Sequence, residues 1–91
     1  MEPGDLINLH YGVGAARNRK IHLVVWVGSG TRDGHPTSLL VRRWIQAKQE
    51  WAIRDKTVTF PECRKEPPWS SVDEAWPQVA AARRSLNGAS R

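Results

Sequence analysis

The sequence predicts an α+β domain: an N-terminal β-hairpin, a central amphipathic helix, a short strand and a C-terminal helix. Three observations lead there. Residues 21–27, Ile-His-Leu-Val-Val-Trp-Val, are mostly β-branched or aromatic, the composition of a strand. Between Leu40 and Ala52, and again between Val72 and Leu86, apolar residues recur at the spacing that gathers them on one side of a helix. Clusters of Gly, Ser, Asp and Pro separate these segments.

Residues 6–11 form the first strand, with Leu6, Ile7, Leu9 and Tyr11 interrupted by Asn8 and His10. The glycine-rich loop 12–19 is shorter than the dozen or so residues a parallel crossover needs, so this strand and 21–27 pair as a hairpin. Residues 28–36 read as a loop, after which Thr37 or Ser38 caps the central helix. Its apolar side carries Leu40, Val41, Trp44, Ile45, Ala47, Trp51 and Ala52, with Lys48 snorkelling from the same arc. Its polar side carries Arg42, Arg43, Gln46, Gln49 and Glu50. The helix ends near residues 54–56, and a short strand at 57–60 stops at Pro61. Residues 62–68 form an extended connector.

Ser71 and Glu74 fit a capping box, and Val72, Ala75, Val79, Ala82 and Leu86 continue at helical spacing up to a stop at Asn87-Gly88. Pro77 either kinks that helix or begins it. Residues 1–88 are thus one small globular domain and 89–91 a frayed tail. A small SH3-like β-barrel competes, with strands at 6–11, 21–27, 38–45 and 51–60; it makes a turn of residues 47–50, whose turn chemistry is poor.

With 91 residues, of which 40% are hydrophobic and 25% charged, the chain has the composition of a soluble domain with one modest core. Its longest apolar run, 23–27, is far too short for a membrane span, and the N-terminus lacks the features of a secretory signal. The lone Cys63 offers no internal disulfide, so a reducing, cytoplasmic setting is expected. A net charge of +5 favours an anionic partner.

Catalytic constellations fail on spacing. Gly12-Val13-Gly14 opens like a dinucleotide fingerprint, but Arg17 stands at the third glycine and no βαβ unit fits before Ile21. His10, His22, His35 and Cys63 have no zinc-like spacing, and no metal or other cofactor is expected. Ser29, Asp33 and His35 share one loop without the strand–turn–helix support of a nucleophile elbow. Cys63 beside Arg64 and Lys65 reads as a bystander. The chain is therefore expected not to be an enzyme.

Among the five tryptophans, Trp26, Trp44 and Trp51 read as core. Trp69 and Trp76 either lock the last helix onto the sheet or present an interface to a protein partner.

The segment 35–45, His-Pro-Thr-Ser-Leu-Leu-Val-Arg-Arg-Trp-Ile, followed by 53–60, Ile-Arg-Asp-Lys-Thr-Val-Thr-Phe, resembles the central part of phage excisionases, small recombination directionality factors that bend DNA. The resemblance spans residues 21–60. It implies a winged-helix fold in which a proline and a serine or threonine open a recognition helix bearing a basic pair and a tryptophan, followed by a short basic wing.

The function expected is non-enzymatic DNA binding by a small basic protein. Arg42, Arg43, Gln46 and Gln49 would face a groove, with Arg54 and Lys56 reaching phosphate. The alternative is a phage-type inhibitor or adaptor that docks on a larger protein or nucleoprotein assembly through Trp69 or Trp76. The oligomeric state is left open.

Overall fold

A computed structural model describes residues 1–9 and 20–89, of which 88 and 89 in their backbone alone. His10, Tyr11 and the loop 12–19 lie outside the described residues. The fold is mostly β, with one main antiparallel sheet and one C-terminal helix, which corrects the expected layout.

The elements are β1 (Leu6–Leu9), β2 (Lys20–Val27), β3 (Thr31–Arg32), β4 (His35–Pro36), β5 (Ser38–Ile45), β6 (Glu50–Trp51), β7 (Lys56–Thr59), β8 (Trp69–Ser71) and α1 (Pro77–Ala89). In the main sheet the order is β6-β5-β2-β1-β8, and β7 pairs with β5 alongside β6. The β1–β2, β2–β5, β5–β7 and β1–β8 pairings are all antiparallel. No ladder joins β7 to β8 among the described residues.

The central helix is absent. Residues 38–45, which both the periodicity and the excisionase resemblance make helical, are strand β5. Their sequence, Ser-Leu-Leu-Val-Arg-Arg-Trp-Ile, has apolar residues on both sides of a strand, a pattern that periodicity alone cannot tell from a helix. The decision is tertiary. Leu39 and Val41 point one way into the Phe60 cluster and are 1% and 0% exposed, while Trp44 points the other way under α1.

The turn after β5 covers residues 46–49, one residue earlier than the unfavourable 47–50, and it forms because Gln49 adopts φ 53° and its side-chain amide donates to the Gln46 carbonyl at 2.7 Å. A non-glycine residue in the left-handed region is uncommon, and that rarity hid the turn. Residues 31–36, part of the loop that composition predicts at 28–36, form instead the tight β3–β4 hairpin: Asp33 and Gly34 both have positive φ (50° and 81°), the requirement of a two-residue type I′ turn.

The C-terminal helix starts at Pro77, where the missing N–H costs nothing, so there is no kink. Ser71 is not its cap, because it pairs with Ile7 in β8. Asp73 organises the entry instead: its carboxylate accepts from the Ala75 N–H at 3.0 Å and its carbonyl from Trp76. The helix also runs past the expected stop at Asn87-Gly88 to Ala89.

The sheet is apolar on both faces. One packs Ile7, Leu9, Val24, Leu39 and Val41 against Phe60 and Trp69, whose rings meet edge-on at 6.1 Å. The other packs Leu6, Ile21 and Trp44 against Val79, Ala81 and Ala82 of α1. Strand β1 lies between both clusters, which is why all four of its residues are buried.

Candidate nucleic-acid interface

Strand register decides which cations meet. Side chains alternate between faces, so residues paired across strands share one. Leu9 pairs with Lys20, His22 with Arg43, and Val41 with Lys56. Since Leu9 and Val41 belong to the Phe60 cluster, Lys20, His22, Arg43 and Lys56 all project on that face. They also sit at one end of the sheet, where β1 ends, β2 begins, β5 ends and β7 begins. Lys48, in the turn after β5, and Arg54, in the bulge before β7, belong to the same end and are exposed.

His22 lies beneath this cluster at 1% exposure. Its Nδ1–H donates to the Lys20 carbonyl at 2.9 Å, which fixes the tautomer of the neutral ring. Burial pushes its pKa below the ordinary 6.5, and the positive charges of Lys56, Arg43 and Lys20 push the same way, against the opposing hydrogen bond to Lys20. Lys20 and Arg43 border a hollow of about 330 Å³ together with Gln46 and Gln78 and the apolar Ile21, Trp44 and Ile45. Two cations beside two amides, on an exposed rim, suit an anionic oxygen-rich group such as phosphate.

The six residues expected to contact DNA do not form one surface. Arg42 and Arg43 are adjacent in a strand and project on opposite faces. Arg42 donates from Nε to Asp55 at 2.8 Å, and this ion pair pins the bulge 53–55 to β5. Gln46 accepts the Trp44 indole N–H at 2.8 Å and Gln49 shapes the turn, so both have structural duties. Arg43, Arg54 and Lys56 remain at the basic end. Lys20 joins them, and its inclusion follows only from the β1–β2 and β2–β5 registers.

The tryptophans also redistribute. Trp69 is buried at 5% exposure in the Phe60 cluster, and Trp76 packs half-buried against the helix cluster, so neither stands out as an anchor. Trp44 and Trp51 stack edge-on at 5.0 Å, as core residues would. Trp26, expected in the core from its place in the best strand, is 56% exposed, paired with Leu40 of β5.

No family model, curated protein or solved structure matches the chain. Among the described residues there is no group of three His, Cys, Asp or Glu able to hold a metal ion, and no helix long and apolar enough to cross a membrane.

Proposed function

We propose that this chain is a non-enzymatic DNA-binding protein that grips the phosphate backbone with the basic end of its sheet. The observation that supports this is the convergence of Lys20, Arg43 and Lys56 around His22, beside the hollow with Gln46 and Gln78. Among the described residues the ion pairs are Arg32–Asp33, Arg42–Asp55 and Arg83–Glu74, so Lys20, Arg43, Lys48 and Arg54 keep their charge for a partner. Asp55, between Arg54 and Lys56 in the sequence, is engaged by Arg42, and Glu50, opposite Ile45, does not offset four cations.

Contacts of this kind give affinity with little sequence discrimination, because phosphate oxygens carry no base identity. The protein should therefore bind unrelated duplexes about equally. Fluorescence anisotropy at low salt with a labelled duplex of mixed sequence tests the proposal. Lys20→Ala combined with Arg43→Ala should weaken binding roughly tenfold or more while the circular dichroism spectrum stays unchanged, since each lost phosphate contact removes part of the counterion-release drive. Unchanged affinity in a folded double variant contradicts it.

A further inference from the structure

We propose that the seam between β7 and the β1–β8 side of the sheet receives an extended acidic peptide of a protein partner, which adds to β7 as a strand. The evidence begins with ladder parity. Phe60 N–H donates to the Thr37 carbonyl at 2.9 Å, which makes that pair hydrogen-bonded. Hydrogen-bonded and non-hydrogen-bonded pairs alternate in an antiparallel ladder. Val58 with Leu39 and Lys56 with Val41 are then hydrogen-bonded, and Thr57 and Thr59 turn their backbone N–H and C=O groups outward, away from β5.

That outward edge borders a groove of about 270 Å³. Leu9 and Val58 supply its apolar lining, and Lys56 and Arg64 its charge. Pro61 and Pro68 of the connector also border it, and neither has an N–H to donate to the edge. Outward backbone donors and acceptors that no ladder among the described residues engages, along an apolar groove, are the features by which a sheet accepts an added strand. The two bordering cations select the occupant. A second copy of this chain would bring its own Lys56 and Arg64 against the first pair, whereas a peptide with acidic residues on either side of an apolar one complements them. Glu62 and Glu66 of the connector do not border the groove.

The test uses the full chain, labelled with nitrogen-15, and the peptide acetyl-Thr-Glu-Thr-Val-Thr-Glu-Thr-amide. Titration should shift the amide resonances of Thr57, Val58, Thr59 and Leu9, and a peptide with Lys in place of both Glu should bind about tenfold more weakly. Thr57→Pro and Thr59→Pro remove only outward N–H groups, a placement that edge strands tolerate. The double variant should keep its fold and its affinity for duplex DNA and lose the peptide. Should the double variant unfold, Arg64→Glu, an exposed change outside the strands, should weaken the acidic peptide and favour the lysine one. Shifts confined to Lys20 and Arg43, no shifts at all, binding indifferent to both variants, or edge-to-edge dimerisation that excludes the peptide would each overturn the assignment.

Discussion

The two ends of the main sheet differ in what their charges do. At the end where β2 leaves and β7 finishes, the cation Arg32 belongs to the fold: its guanidinium lies 4.5 Å from the centre of the Phe60 ring, donates to the Pro61 carbonyl and pairs with Asp33. Asp5 there accepts from the Glu2 N–H at 2.9 Å. At the opposite end Lys20, Arg43, Lys48 and Arg54 stand exposed, outside the ion pairs of the described residues. One net charge of +5 thus divides into cations that hold the structure together and cations that face outward. Net charge alone cannot make this distinction.

The largest expected effect separates the two ends by packing. Trp44, at the basic end, is 5% exposed, stacks on Trp51 and donates to Gln46, so Trp44→Ala should cost about 3–5 kcal/mol in denaturant unfolding. Trp26, near the other end, is 56% exposed, and Trp26→Ala should cost about 1 kcal/mol or less. Equal losses for the two would erase the contrast.

Charge reversal comes next. Lys20→Glu, Arg43→Glu and Lys56→Glu together should reduce duplex affinity roughly a hundredfold or more. Arg32→Gln should leave affinity within about twofold and lower thermal stability instead, because its bonds are internal. Anisotropy and thermal unfolding on the same samples make the comparison. A binding loss for Arg32→Gln as large as for the triple variant would show that position on the sheet does not matter.

A smaller effect concerns His22. A depressed folded pKa means that the unfolded chain binds the proton more tightly. Stability is therefore complete above pH 6.5 and declines as pH falls below it. Urea unfolding between about pH 7.5 and 5.5 should show this decline, and His22→Gln should flatten it. The same slope in both proteins would assign it to other groups. The smallest effect is that of Arg42→Ala. The ion pair with Asp55 is partly exposed and should contribute at most about 1 kcal/mol by thermal unfolding, with little change in DNA affinity.

What the sequence made legible follows from how local each signal is. Strand 21–27 announces itself by composition, and the last helix by spacing, because both depend on nearby residues. Segment 38–45 does not, since its two-faced apolar pattern satisfies a helix and a strand equally and only Phe60, Val24 and α1 decide between them. The three residues of β8 are too few for any periodicity and exist as a strand only because β1 is there to pair with. The Asp33-Gly34 turn was readable, as Asp-Gly is a strong type I′ signal. The candidate site was half legible. Arg43, Arg54 and Lys56 could be named from charge, but a helical reading placed Arg43 beside Arg42, and a strand sends them to opposite faces. Lys20 had no signal at all before the registers were known.

The salt dependence of DNA binding tests the central claim most directly. If the basic end grips phosphates, the plot of log affinity against log salt should be a straight line with slope of about −0.9 for each phosphate neutralised. Arg43→Ala should make that slope shallower by about one unit, uniformly across unrelated duplexes. A wild-type affinity that does not change with salt, or an Arg43→Ala slope equal to the wild-type slope, would contradict the account.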